Sequence, residues 1–167
     1  KVIDDAVEKI VPRLLSEISN LHIIHVFGRL NESSMTKRYT GIESKIKDRL
    51  HLKLFLKDQY KYAAAADVVV TRAGATAMAE YGVLGKACIV VPAEQLSGGH
   101  QLKNSKVYIE NSSACVITEN RLEGELYDSI MYLLQHKTER NKLGEKLKNM
   151  TPSDAAERMA EIILGEL

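Results

Sequence analysis

Ile3, Ala6, Val7, Ile10, Val11, Leu14 and Leu15 recur at spacings of three and four, which predicts an amphipathic helix at the start of the chain, with Pro12 as its one irregularity. The period then changes. Residues 22–27 form a β-prone run closed by Gly28, and the polar stretch 29–49 predicts a loop with a short helix. Residues 51–56 predict a second strand, and residues 58–66 a short alanine-rich helix with Asp58 placed to cap it. Residues 67–71 carry consecutive valines, the mark of a strand buried on both faces of a parallel sheet.

Small residues at 74–84 predict a helix ending at Gly85, followed by a buried strand at 87–91 that Pro92 stops. The loop 93–99 leads into a helix over 100–110, and residues 114–117 predict the last strand. Three helices follow, at 122–135, 138–149 and 153–164, the last with Pro152 at its threshold. Strands alternating with helices at this spacing predict parallel βαβ units, hence an α/β fold with an open parallel Rossmann-like sheet flanked by helices. Ligands of such sheets bind beyond the C-terminal ends of the strands, so the loops after the strands are where function is sought.

Length and composition narrow the classes. A chain of 167 residues, 45% hydrophobic and 27% charged, suits one compact domain rather than a disordered segment. Its 23 Lys and Arg nearly cancel 22 Asp and Glu, so no basic field recommends nucleic acid as a partner. Cys88 and Cys115 lie far apart without metal-ligand spacing and read as free thiols of a reducing compartment. No apolar run approaches the roughly 20 residues needed to cross a bilayer, and the first residues lack a signal-peptide core, which predicts a soluble, cytoplasmic protein. The chain begins inside a helix at Lys1 rather than at a Met, and so reads as cut from something longer.

Three post-strand segments carry candidate chemistry. In the first, Gly74 stands at a strand-to-helix junction before Ala75, Thr76 and Ala77, whose amides at a helix start form an anion site suited to a diphosphate. Glu80 lies about one and a half turns further on, where a carboxylate accepts hydrogen bonds from vicinal hydroxyls such as those of a ribose. The competing account is a mere tight turn at Gly74 and a surface Glu80 paired with a lysine. In the second segment, Gly98 and Gly99 precede His100, Gln101 and Asn104, neutral donors and acceptors on one helical face that suit a sugar. A helix cap with polar residues in water is the alternative there. In the third, Phe55 and Leu56 offer an apolar border for a flat base, or are simply core. His22 and His25 fall on opposite faces of a strand, and the charged series from Lys137 to Lys148 suits a solvated helix. No nucleophile elbow, phosphate loop of the Walker type, zinc helix or supported general base is present.

At these segments the sequence resembles the C-terminal, donor-binding half of the family 28 glycosyltransferases, two-domain enzymes of the GT-B type. The resemblance rests on residues 66–75 (Ala-Asp-Val-Val-Val-Thr-Arg-Ala-Gly-Ala), on Glu80, on residues 85–92 (Gly-Lys-Ala-Cys-Ile-Val-Val-Pro) and on residues 100–105 (His-Gln-Leu-Lys-Asn-Ser), in that order and spacing. It is most similar to the members that move N-acetylglucosamine (GlcNAc) from UDP-GlcNAc to lipid-linked N-acetylmuramoyl-pentapeptide in peptidoglycan synthesis. The resemblance implies that Glu80 holds the donor ribose and that Arg72, Gly74, Ala75, Thr76 and Ala77 face the diphosphate. It further implies that His100, Gln101 and Asn104 bind the GlcNAc ring and that Phe55, Leu56 and Gln59 border the uracil. No metal or other cofactor is implied, and the partners are UDP-GlcNAc, a lipid-linked acceptor, and the inner face of the membrane met peripherally.

The implied reaction is an inverting transfer in which a deprotonated acceptor hydroxyl attacks the anomeric carbon as UDP leaves. The chain departs from the family at Ala73, where Ser is frequent, at Lys86, where Pro is frequent, and at Ala77, where Thr is common, leaving one hydroxyl contact to phosphate missing or supplied by Thr76. The family's first strand and Gly-rich loop, and its N-terminal acceptor domain with the general base, have no counterpart in these residues. The absent strand belongs beside residues 22–27 and 67–71, so the resemblance implies upstream residues or a strand from a neighbouring chain. Other readings are a diacylglycerol glycosyltransferase or similar UDP-sugar enzyme, a noncatalytic UDP-sugar-binding subunit that needs a partner chain, and a flavodoxin-like signalling module.

Overall fold

The computed structural model describes residues 1–28, 38–39, 47–93 and 100–165. Helix α1 (Val2–Glu17) buries the stripe Ala6, Val11, Leu14 and Leu15 and leaves Pro12 on its exposed side. Strands β1 (Ile23–Val26) and β2 (Leu50–Lys53) pair in parallel from Ile23 opposite Leu50 to Val26 opposite Lys53. Helix α2 (Gln59–Ala65) leads to β3 (Val68–Thr71), helix α3 (Ala75–Val83) to β4 (Ala87–Val90), and helix α4 (His100–Glu110) to β5 (Cys115–Val116). The strands β3, β4 and β5 form a second parallel sheet in that order. Helices α5 (Leu122–Gln135), α6 (Lys137–Asn149) and α7 (Ala155–Leu164) complete the chain. No helix among the described residues is long and apolar enough to cross a membrane.

Strand β4 is the buried centre, because its side chains alternate between two cores. Cys88 and Val90 join Met78, Tyr81 and Leu147 under α3 and α6, while Ile89 and Val91 join Ala6, Ile117, Leu122 and Leu126 under α1 and α5. Each large aliphatic side chain so buried contributes about 1.5–3 kcal/mol. A third cluster, Val11, Leu15, Phe27 and Tyr39, lies between α1 and the two-stranded sheet. Val7 packs into both the second and the third cluster, so α1 lies across both sheets.

The sheet is thus divided. Among the described residues β1 has β2 as its only strand neighbour, and β3 has β4. Ile23 and Phe27 donate their amides toward the β2 side, to Arg49 and Lys53, so the backbone groups of Ile24 and Val26 face the other way. Thr71 accepts from Val91 on the β4 side, which turns the backbone groups of Val68 and Val70 away from β4. Among the described residues two strand edges are therefore unpaired, on sheets that share α1 as their cover.

Several local expectations are corrected. The residues of β3 are only half-buried rather than enclosed on both faces, because β3 is an edge among the described residues. Strand β2 starts earlier and stops earlier than its residues suggest, since pairing with β1 ends where Phe27 donates to the Lys53 carbonyl at 3.1 Å. Strand β5 keeps only two residues, closed by Ile117 donating to Val90 at 2.9 Å. Asp58 precedes α2 without a side-chain cap; its carboxylate takes Lys61 Nζ at 3.3 Å instead. Arg140, from the charged series, is largely buried: it donates to the Leu133 and Leu134 carbonyls that end α5 and pairs with Asp67 at 2.9 Å.

Candidate functional site

The C-terminal ends of β3, β4 and β5 meet the starts of α3 and α4, and most candidate residues lie along this rim. Gly74 is the N-cap of α3, and the first bond within the helix runs from Met78 N to Gly74 O at 3.0 Å. The amides of Ala75, Thr76 and Ala77 therefore precede the helical ladder and point outward as donors, with Ala75 and Thr76 exposed. Gly74 has φ −77° and ψ 128°, open to any residue, and a Cβ there would meet no atom within 4 Å. A tight turn thus does not require glycine at this position, while the space over it is open to a ligand that comes close to the backbone. Glu80 is exposed on α3, and no ion pair to a lysine is recorded for it among the described residues.

Arg72 leaves β3 beside this helix start. Its Nη1 donates to Glu119 Oε1 at 2.5 Å and to the Val91 carbonyl at 3.3 Å, joining the ends of all three strands. Helix α4 is tied to the same rim by its amide side chains. Gln101 Oε1 accepts from the Ala93 amide at 2.9 Å, and Asn104 Nδ2 donates to the Ala73 carbonyl at 3.3 Å. Each bond uses one polar atom of the side chain, and no partner of the other is recorded among the described residues. His100 opens α4, but its side chain lies outside the described residues, as do Gly98 and Gly99.

The third candidate segment leaves the two-stranded sheet and returns to α3. Phe55 is 66% exposed, and Leu56 is buried. Gln59 Nε2 donates to the Tyr81 hydroxyl at 2.8 Å, which ties α2 to α3. Burial raises the Tyr81 phenol above its ordinary value, so it stays protonated. Glu119 is the residue of this rim that the sequence motifs missed; its position three residues beyond β5, in the last post-strand turn, is the signal for it.

His25 is buried under α1, with Nε2 3.0 Å from Asp4 and Nδ1 3.1 Å from the Tyr39 hydroxyl, whereas His22 stacks on His51 at the surface. Both cysteines are free, and burial pushes the Cys88 thiol up to about 12. No three His, Cys, Asp or Glu side chains converge as metal ligands among the described residues.

The sequence matches the glycosyltransferase family 28 C-terminal domain over residues 1–159. It is 29% identical over 167 residues to the UDP-N-acetylglucosamine–N-acetylmuramyl-(pentapeptide) pyrophosphoryl-undecaprenol N-acetylglucosamine transferase of Geotalea daltonii, covering 98% of this chain and 44% of that protein. The same-named protein of Listeria welshimeri is 27% identical, with 98% of this chain and 44% of the relative covered. Among solved structures, the crystal structure of Acinetobacter baumannii MurG superposes with a TM-score of 0.75 at 20% identity, over 96% of this chain and 46% of that one. The chain thus spans less than half the length of these relatives.

Proposed function

The chain belongs to the glycosyltransferase family 28 C-terminal domain family, and on that premise we propose that it is the donor-binding unit of an inverting transferase that moves GlcNAc from UDP-GlcNAc to a lipid-linked N-acetylmuramoyl-pentapeptide. The observation that carries this reading is the start of α3. An open glycine, outward amides and a carboxylate with no ion pair among the described residues follow one another there at the C-terminal rim of a parallel sheet. The names of the relatives supply the sugar and the acceptor.

In this reading the amides of Ala75 to Ala77 hold the diphosphate, where the positive end of the α3 dipole favours the charge that develops as UDP departs. Arg72 adds a cation beside them. Glu80 accepts the ribose hydroxyls, and Phe55, Leu56 and Gln59 border the uracil. Gln101 and Asn104, with His100, take the hydroxyls of GlcNAc and so set the reacting anomeric carbon relative to the acceptor. The base that deprotonates the acceptor hydroxyl comes from an N-terminal acceptor domain, in keeping with relatives more than twice as long. We place the whole enzyme peripherally at the cytoplasmic face of the membrane, where a lipid-linked acceptor is reached.

The same reading assigns an occupant to the gap between β1 and β3. A parallel strand that runs into α1 and returns through it to β1 by a right-handed crossover lies in that gap, since α1 covers both of its walls. The strand order then reverses beside β3, which puts the rim described above at the switch point where such sheets bind nucleotides.

Calorimetric titration of the full-length protein with UDP-GlcNAc, UDP-glucose and UDP-galactose tests the proposal. Tightest binding of UDP-GlcNAc is expected; preference for either other sugar would reassign the donor to a relative such as a diacylglycerol glycosyltransferase. Absence of UDP binding altogether would remove the donor-site reading.

A further inference from the structure

We propose that Glu119 is a positioning residue for donor binding, acting through Arg72; this rests on the reading of the α3 rim as a UDP-sugar site. The contact is long-range, between the ends of β3 and β5 across β4. One nitrogen, Arg72 Nη1, takes both the Glu119 carboxylate at 2.5 Å and the Val91 carbonyl at 3.3 Å. The pair is partly desolvated, with the Arg72 side chain 31% and the Glu119 side chain 20% exposed, so solvent screens it less than an open surface pair.

Two acceptors on the two hydrogens of one guanidinium nitrogen restrict the rotation of the group and leave its other donors unused. Arg72 Nε and Nη2 take no acceptor among the described residues. A planar fork of this kind matches two oxygens of a phosphate, and its value depends on being oriented before the ligand arrives. The surrounding bonds supply the same rigidity. Ala73, the next residue, is held by Asn104, and Ala93, two residues past Val91, is held by Gln101. The turns after β3 and β4 are thereby fastened to α4 on one side and, through Arg72, to Glu119 on the other. Without the carboxylate, Arg72 keeps only the 3.3 Å bond to the Val91 carbonyl, and the orientation of its remaining donors is lost.

The test compares UDP with uridine, which differ by the diphosphate alone, on the full-length protein. Glu119→Gln is expected to weaken UDP binding about tenfold while uridine affinity stays within about twofold of the parent. Arg72→Ala should show the same selective loss, and adding Glu119→Gln to it should weaken UDP no further, as expected if one residue acts through the other. Glu119→Asp, which keeps the charge but withdraws it by one methylene, should fall between, and it carries the same comparison should Glu119→Gln fail to fold. Equal loss of UDP and uridine, unchanged or tighter UDP binding, or losses that add in the double variant would each overturn the role of Glu119. A parent protein that binds neither ligand overturns the donor-site reading, and this inference with it.

Discussion

A methyl group on Gly74 would touch no protein atom within 4 Å, yet on the proposed donor-site reading it would stand where the diphosphate approaches the α3 amides. Gly74→Ala is therefore expected to leave thermal stability unchanged and to weaken UDP binding about tenfold. A melting curve beside a calorimetric titration reads both, and unchanged affinity would place the diphosphate elsewhere. Glu80→Ala should weaken UDP-GlcNAc binding by about 1–3 kcal/mol, the scale of hydrogen bonds to a charged group. The loss should shrink with a 2′-deoxyribose donor, which lacks one of the hydroxyls involved. Cys88 reports on the core instead. Burial raises its thiol from the ordinary 9.0 to about 12, so the folded state holds the proton more tightly than the unfolded chain. That contribution is intact below pH about 9 and is lost as pH rises toward 12, by at most ~1.4 kcal/mol per pH unit. Denaturant titrations at about pH 8 and pH 10.5 should accordingly find the stability gap between the parent and Cys88→Ala narrowing at the higher pH.

Helix α6 meets the turn between α3 and β4 through two glycines, and this contact is sharper than any hydrophobic period could announce. A Cβ on Gly144 would lie 2.1 Å from the Gly85 carbonyl oxygen, and Gly85 itself holds φ +61°. Gly144→Ala should destabilise the fold by about 1–3 kcal/mol, because backbone rather than a movable side chain must give way. Gly124→Ala on α5, where a Cβ would meet nothing within 4 Å, should instead be neutral or stabilising by up to about 1 kcal/mol in the same denaturant titration. Periodicity is enough to find α1 and α5, because each must turn an apolar stripe inward over several turns, and small residues mark α3. Strand ends were less legible: β2 and β5 stop where their neighbours stop offering bonds, and that information lies in β1 and β4. The site divides in the same way. Gly74, Glu80, Gln101 and Asn104 sit in short local patterns, whereas Glu119 gains its meaning from Arg72, at a sequence separation of 47 that no local motif spans.

The run of valines in β3 has the composition of a strand enclosed by neighbours, and among the described residues it has one. Under the proposal of an inserted parallel strand, the backbone amides of Ile24, Val26, Val68 and Val70 should be protected from hydrogen exchange in the full-length protein. They should exchange much faster in the chain of residues 1–167, while those of His25 and Val69, turned toward β2 and β4, stay protected in both. Equal protection of all six in the shorter chain would mean that the gap is closed by other means. On the same proposal, the gap also bears on handling of the chain of residues 1–167. Its walls carry Ile24, Val26, Val68 and Val70, with no charge and no proline to discourage pairing, so each is a template for a foreign strand. The shorter chain should accordingly self-associate as its concentration rises, and a lysine at Ile24, exposed on β1, should improve its solubility more than the same change at a helix surface.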